Sequence, residues 1–338
     1  MNKKRVLAML LAGAMALSMT ACGGNSASTD DSSNDGGASA SGGSYKVSVI
    51  LKTLAAEYWQ YVKSGAEDYA SEHSDKVTVE VKGPSSETAF DEMQNMIETD
   101  LSSGSYDGVI ISPLQSDTAA QLVSGTKLPI VAIDTNFTAP EVKSFAGTGN
   151  EAAAKKGGEA AVEAAKAAGW TDIKCIEIAG VQGDQTNTAR MNGYKAGVEE
   201  AGGTFLSDEV QYADATADRA TTAMEAIMQT HPEGIAIICA NNDDMAMAAA
   251  RAAQGHDAYK NTIFLGFNGD RAACEAILAG QMTMSVAQMA YEMGYKAVET
   301  MVQVLDGETV DEFVDSGSDV VTPDNAQERL DTLKTQLH

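Results

Sequence analysis

Short, almost uninterrupted apolar runs alternate with longer amphipathic segments along most of the chain. The apolar runs predict strands at 46–51, 77–82, 108–112, 129–134, 173–179, 204–211, 235–240 and 262–267. The segments between them carry apolar positions at helical spacing and predict helices at 58–70, 90–101, 118–124, 151–168, 188–201, 218–230 and 245–254. Strands that are apolar on both faces and alternate with helices are typical of parallel sheets covered on both sides.

The alternation of strands and helices starts again near residue 148. We therefore predict an α/β protein with two doubly wound units in series, at 45–147 and 148–288. In such sheets, ligands bind at the carboxyl ends of the strands. Two sheets that face each other would place the site in the cleft between them.

The beginning of the chain has a different pattern. A basic start precedes an apolar run at 6–17, and small residues then lead to Cys22. This order is typical of an export signal, and the run is too short to span a bilayer. Because the last six residues of this segment resemble a lipobox, we expect 1–22 to be a lipoprotein signal peptide with Cys22 as its lipidated residue. Residues 23–44 are almost all small or polar, and we expect a disordered tether.

Charge and cysteine usage exclude two further classes of protein. The 338 residues include 23 Lys and Arg against 48 Asp and Glu, a formal net charge of −25. Such a chain repels phosphate backbones, so we expect no nucleic-acid partner. Four cysteines over this length do not form a disulfide scaffold. Cys175, Cys239 and Cys274 lie in apolar segments and are expected as buried thiols, with a bridge between Cys175 and Cys239 as an open alternative.

The sequence offers no pattern for catalysis. It contains no G-x-x-x-x-G-K-[ST], no dinucleotide fingerprint after a strand and no G-x-S-x-G. None of the four histidines lies within metal-ligand spacing of another. Carboxylates and amides at strand ends, without a paired nucleophile and base, favour binding. We therefore expect no enzyme activity, no catalytic residue, no cofactor and no metal.

Aromatic and polar side chains follow the predicted strands. An aromatic ring packs well against the C–H face of a sugar, while the sugar hydroxyls need polar partners. The candidate ligand-binding residues are Lys52, Tyr58, Trp59 and Asp134 in the first unit, Asp184, Gln185, Arg190, Asn242 and Asn268 in the second, and Gln288 where the chain returns to the first. A polyhydroxylated ligand would provide hydrogen-bond partners for the polar residues of this set. The alternatives are core packing of the two rings, a cap or turn role for Asp134, and a simple turn at Asp184 and Gln185.

Several of these motifs are similar to those of a known family. Segments 49–54, 238–243, 266–269, 280–283 and 286–288, with the aromatic pair, resemble the extracellular sugar-binding proteins of ABC importers of the ribose, allose and galactose type. The resemblance covers about 46–321. It implies that the sugar contacts the positions of Lys52, Tyr58, Trp59, Asp134, Arg190, Asn242 and Asn268, with Gln288 at the hinge.

The resemblance also implies the type I periplasmic binding protein fold, with two lobes joined by three crossings. The first lobe would comprise 45–147 plus 289–313, and the second 148–288 plus 314–338. The chain departs from the family pattern at Ala56, where Asn is common, at Ala217 or Ala215, where an aromatic is usual, and at Asn268, where Asp is usual. An amide can donate as well as accept. We therefore expect a roomier and less charged pocket.

These observations predict an extracytoplasmic solute-binding lipoprotein. It would capture a monosaccharide or related polyol between its lobes and deliver it to the permease subunits of an ABC transporter. We expect a monomer anchored to the bacterial cell membrane through its lipid. The alternative is a sensor that presents a sugar-like signal, such as a cyclic furanosyl compound or a nucleoside, to a membrane receptor.

Overall fold

The computed structural model describes residues 44–337. These residues belong to one compact unit. The predicted signal peptide at 1–22, its Cys22, and all of the predicted tether except its last residue lie outside the described residues. Within the described part of the chain, no helix is both long and apolar enough to cross a membrane.

The described residues contain both strands and helices in regular alternation. The strands are β1 (Tyr45–Ile50), β2 (Val77–Lys82), β3 (Gly108–Ile111), β4 (Ile130–Ile133), β5 (Val142–Gly147), β6 (Lys174–Ala179), β7 (Thr204–Phe205), β8 (Gln211–Tyr212), β9 (Ile237–Ala240), β10 (Ile263–Asn268), β11 (Met284–Gln288), β12 (Phe313–Asp315) and β13 (Ser318–Val321). The α-helices are α1 (Glu57–Glu72), α2 (Phe90–Ser103), α3 (Ser116–Val123), α4 (Asn150–Ala167), α5 (Gln185–Glu200), α6 (Ala217–Thr230), α7 (Asp243–Ala253), α8 (Arg271–Leu278), α9 (Ala290–Leu305) and α10 (Ala326–Gln336). Short 3-10 turns lie at Ser207–Glu209 and Asp257–Tyr259.

The first lobe is a six-stranded parallel sheet with its helices. The strand order is β12-β5-β4-β3-β1-β2. Helices α1 and α9 pack together on one face, and α2 and α3 cover the other. Strands β3 and β4 are buried along their whole length because helices exclude water from both faces.

The second lobe is built in the same way. Its strands are ordered β13-β11-β10-β9-β6-β7, with β8 also paired to β6, and only β13 runs antiparallel to its neighbour among the described pairs. Helices α4 and α5 pack on one face, while α6, α7 and α8 cover the other. Sequential numbering of the strands shows that the chain passes between the two sheets three times, after β5, β11 and β12. The predicted fold class of two doubly wound lobes joined by three crossings is confirmed.

Two local predictions differ from the structure. The single strand predicted at 204–211 is two short strands, β7 and β8, because the polar turn Ser207–Glu209 interrupts it. Strand β5 was not predicted because Lys143 and Ser144 break its apolar run.

The cysteine alternatives are also resolved. Cys175 and Cys239 are buried free thiols with their sulfur atoms 3.4 Å apart, well beyond the S–S bond length of about 2.0 Å.

Candidate functional site

A cavity of about 360 Å³ lies where the carboxyl ends of the strands of the two sheets face each other. Nine of the ten candidate residues line it: Lys52, Tyr58, Trp59, Asp134, Asp184, Arg190, Asn242, Asn268 and Gln288. They come from the ends of β1, β4, β9, β10 and β11, from the first turn of α1, and from the cap and second turn of α5. Parallel strands in each sheet thus bring residues far apart in sequence to one place.

The two aromatic residues stand at the start of α1. Their rings make an edge-to-face contact, with centroids 4.9 Å apart and an interplanar angle of 81°. The Tyr58 hydroxyl donates to Asp134 Oδ1 (2.8 Å), and Trp59 Nε1 donates to Glu87 Oε1 (2.9 Å). Burial and the Asp134 carboxylate raise the pKa of Tyr58 well above its ordinary value, so the phenol remains a donor. Both rings line the cavity and also pack in the core of the first lobe, so the two interpretations of these residues are compatible.

Asp134 follows β4 in a backbone conformation that is unusual for its residue type. Its φ is 62°, in the left-handed region that costs energy for any residue other than glycine. The carboxylate accepts hydrogen bonds from Tyr58 and from Thr135 Oγ1 (2.9 Å). Each oxygen keeps a second lone pair, so this buried carboxylate can also accept from ligand hydroxyls.

Arg190 lies on α5 and is held in place by neutral groups. Its Nε donates to Asn150 Oδ1 and its Nη1 to the Asn241 carbonyl, both at 2.8 Å. The guanidinium also lies over the Phe267 ring, 3.9 Å from the centroid. Nη2 makes no hydrogen bond to any residue within 44–337 and remains available for a ligand.

Gln288 lines the cavity and carries a buried acceptor without a partner. Its Nε2 donates to Asn268 Oδ1 (3.0 Å), which fixes the amide plane. The side chain is 0% exposed, and its Oε1 has no partner within the described residues. Because buried polar atoms are nearly always paired in native proteins, this oxygen calls for a donor from the ligand.

Asn242 and Asp184 each cap a helix. Asn242 Oδ1 accepts from the Met245 backbone nitrogen (2.9 Å) at the start of α7, and its Nδ2 donates to the Ala215 carbonyl (3.1 Å). Asp184 Oδ1 accepts from the Asn187 backbone nitrogen (2.8 Å) at the start of α5. One of the two Asp184 oxygens is therefore engaged in the helix cap.

The second oxygen of Asp184 joins the two lobes. Lys52 Nζ, in the first lobe, lies 2.5 Å from Asp184 Oδ2, in the second, and both side chains are buried. Burial alone would lower the pKa of Lys52, but the carboxylates around it, Asp184 foremost, raise it above its ordinary value. Burial would likewise raise the pKa of Asp184, yet the Lys52 ammonium and the cap bond hold it below its ordinary value. Both groups therefore stay charged.

Two further contacts connect the lobes beside the cavity. Thr135 Oγ1 and Thr186 Oγ1 are 2.7 Å apart and buried, and Arg271 Nε lies 3.2 Å from Glu57 Oε1 at a more exposed position. The lobes are thus closed around the cavity in this conformation.

Gln185 is the one candidate that the structure places elsewhere. It is exposed and does not line the cavity. As the first residue of α5, it points away from the face that carries Thr186, Asn187 and Arg190, because successive helical residues are rotated by about 100°. The expectation that Gln185 fills part of the pocket is corrected accordingly, and Thr186 and Asn187 take that place.

The cavity lining carries more carboxylates than the candidate residues include. The lining includes seven carboxylates: Glu57, Glu87, Asp134, Asp184, Asp214, Asp244 and Asp270. Asp134 and Asp184 were among the candidates. The other five were not, because strand and helix periodicity does not tell which residues of loops and helix ends reach the cavity. Of the two alanine alternatives, Ala215 lines the cavity and Ala217 does not. Within the described residues, no group of three or more His, Cys, Asp or Glu side chains could hold a metal ion.

Comparisons with known proteins agree with this architecture. The sequence profile of the family described as periplasmic binding protein domain matches residues 47–309. The chain is 29% identical to the D-allose-binding periplasmic protein of Escherichia coli (strain K12) over 265 residues, 75% of this chain and 83% of that protein. It is 27% identical to the ribose import binding protein of the same organism over 268 residues, 78% of this chain and 86% of that protein.

A solved structure shows the same fold. It is an ABC transporter solute binding protein from Agrobacterium vitis with bound D-fucose. It superposes with a TM-score of 0.75 at 24% sequence identity, covering 87% of this chain and 100% of that one.

Proposed function

The chain belongs to the periplasmic binding protein domain family, and on this basis we propose that it captures a monosaccharide or related polyol and delivers it to an ABC transporter. The observation that carries the proposal is the cavity between the lobes, which combines an aromatic pair with several polar atoms that can still form hydrogen bonds. The relatives are named for binding ribose and allose, which supports a sugar as the ligand class.

Each part of a sugar has a counterpart in the lining. The Tyr58 and Trp59 rings suit the C–H face of the ligand. Asp134 and Gln288 Oε1 can accept from hydroxyls, and Arg190 Nη2 can donate to a hydroxyl or ring oxygen. Leaving any of these buried groups unpaired costs free energy, so the site favours a ligand that pairs all of them.

Closure of the two lobes supplies the signal for delivery. A ligand that contacts both lobes stabilises the closed state by its difference in affinity for the closed and open states. Asp134 and Trp59 belong to the first lobe, and Arg190 belongs to the second. We propose that the permease recognises the closed pair of lobes, comprising 45–147 plus 289–313 and 148–288 plus 314–338.

We further propose that the protein acts as a monomer at the outer face of the cell membrane. The basic start, apolar run and lipobox of 1–22 support lipidation at Cys22, and the small, polar residues at 23–44 support a tether. The family indicates an extracytoplasmic location. We propose binding without turnover, in line with the names of the relatives.

A thermal-shift screen tests the ligand class. The purified chain is heated with pentoses, hexoses, sugar alcohols, inositols and amino sugars, each against a buffer control. At least one should raise the melting temperature by several degrees, because a ligand at 100 times its Kd adds about 2.7 kcal/mol of stability. The absence of any shift across the whole panel would contradict the proposal.

A further inference from the structure

The charges lining the cavity do not balance. The lining contains seven carboxylates but two cations, Lys52 and Arg190. Three of the carboxylates have their own cation, in the pairs Asp184–Lys52, Asp214–Arg219 and Glu57–Arg271. The remaining carboxylates are Glu87, Asp134, Asp244 and Asp270, and Arg190 is the one cation left in the lining to face them.

Asp270 is one of these carboxylates without a cation of its own. The backbone nitrogen of this residue donates to Asp243 Oδ2 (2.9 Å), so a second, fully buried carboxylate lies directly behind it. Burial and the Asp243 charge raise the pKa of Asp270 well above its ordinary value. Asp243, Asp244 and Asp270 form no ion pair with a Lys or Arg anywhere in residues 44–337, although Arg251 acts on Asp244 at longer range.

An independent feature near Asp270 is a buried acceptor that lacks a hydrogen-bond donor. Asn268 connects Asp270 to Gln288, since its Nδ2 lies 3.3 Å from Asp270 Oδ2 and its Oδ1 accepts from Gln288 Nε2. The unpartnered Oε1 of Gln288 is fully buried and belongs to the cavity lining. An acceptor without a donor and a carboxylate without a cation thus lie on either side of the Asn268 amide.

Resting on the proposed capture of a polyol, we propose that the ligand carries a protonated amino group, as an amino sugar does, and that this group binds beside Asp270 and Gln288 Oε1. An ammonium provides three donors and one positive charge, which suits both an acceptor without a donor and a carboxylate without a cation. A neutral hydroxyl donates one hydrogen bond and leaves the carboxylates uncompensated. The Tyr58 and Trp59 rings suit such a ligand as well, because aromatic faces attract both sugar C–H groups and cations.

Titration calorimetry on the wild-type chain decides between charged and neutral ligands. D-Glucosamine, D-galactosamine and D-mannosamine are each compared with the parent hexose and with the N-acetylated form, at a pH where the amines are protonated. We expect at least one amino sugar to bind about ten-fold or more tightly than both of its neutral counterparts, since a hydrogen bond to a charged group contributes roughly 1.5–3 kcal/mol. Equal or tighter binding of the neutral sugars would overturn the inference and leave the proposed function intact. If no sugar of either kind binds, the inference fails, and the wider thermal-shift panel decides the proposed function separately.

Substitution of Asp270 tests whether the amino group of the ligand binds beside this residue. D270N keeps an acceptor for Asn268 and removes the charge, so the preference for the amino sugar over its parent hexose should fall about ten-fold. D208N is the matched control, because Asp208 is an exposed aspartate of the second lobe that lies outside the cavity. An unchanged preference in a folded D270N variant would contradict the placement, and the wild-type comparison stands even if D270N does not fold.

Discussion

Lys52 Nζ lies 2.5 Å from Asp184 Oδ2, and these two buried residues belong to opposite lobes. Lys52 is expected to contact the ligand, and it also forms an ion pair between the lobes. The pair lies beside the cavity, so closure both assembles it and removes it from water. Its contribution depends on the closed state, because an open cleft would expose both charges to solvent.

The first prediction concerns D184N. Asparagine caps a helix about as well as aspartate, so the cap on α5 should survive while Lys52 loses its partner in the closed state. Breaking a buried ion pair costs roughly 3–5 kcal/mol, and this cost falls on the closed state. Ligand affinity should drop by at least about ten-fold, and small-angle scattering should show a more open shape at a given ligand concentration.

The matched control for this variant is E67Q. It removes one partner of the exposed pair between Lys63 and Glu67 on α1, which lies on the surface of the first lobe. Exposed pairs contribute little, so affinity and shape should be unchanged. If D184N binds and closes like the wild type, the pair between the lobes has no role in closure.

The second prediction concerns Arg190→Met. Methionine retains an apolar stem over Phe267 but removes the free Nη2 donor. Affinity for the best ligand should fall by about ten- to a hundred-fold, since hydrogen bonds from charged groups contribute roughly 1.5–3 kcal/mol. Calorimetry measures the affinity, and circular dichroism checks that the chain is folded. The control K166M alters an exposed cation of α4 outside the cavity and should bind normally. Normal binding by Arg190→Met would place the ligand elsewhere.

The third prediction is a pH dependence of stability that arises at Glu177. Burial raises the pKa of this fully buried carboxyl to about 8, and its Oε2 has no partner within the described chain. Between the unfolded and folded pKa values, the folded state holds a proton that the unfolded state has released. Stability is therefore fully present at low pH and is lost as the pH rises towards 8, by up to about 1.4 kcal/mol per pH unit.

E177Q removes this titration while keeping an oxygen for Asn241, whose Nδ2 lies 3.0 Å from Glu177 Oε1. Urea midpoints measured between pH 5 and pH 8 should fall less steeply in E177Q than in the wild type. Asp243, with a pKa raised by burial to about 6, and Asp270 contribute in the same direction and should leave a residual slope. Identical slopes for the two proteins would contradict the assignment to Glu177.

Much of the fold follows from the sequence because most strands are buried on both faces and read as apolar runs. Asp134 and Gln288 were identifiable since each stands at the end of such a run. Glu87 and Asp270 were not, because loop residues reach the cavity through packing of distant segments. The pairing of Lys52 with Asp184 spans 132 positions and depends on lobe closure, which no local pattern encodes.

The central claim is that a sugar-like ligand binds between the lobes, and a crystal structure with the strongest ligand from the screen tests it most directly. We predict electron density in the cavity, with the ligand ring against Trp59, a donor within hydrogen-bond distance of Gln288 Oε1 and an acceptor at Arg190 Nη2. Ligand density outside the cavity, or a ligand in the cavity that contacts one lobe alone, would contradict the account.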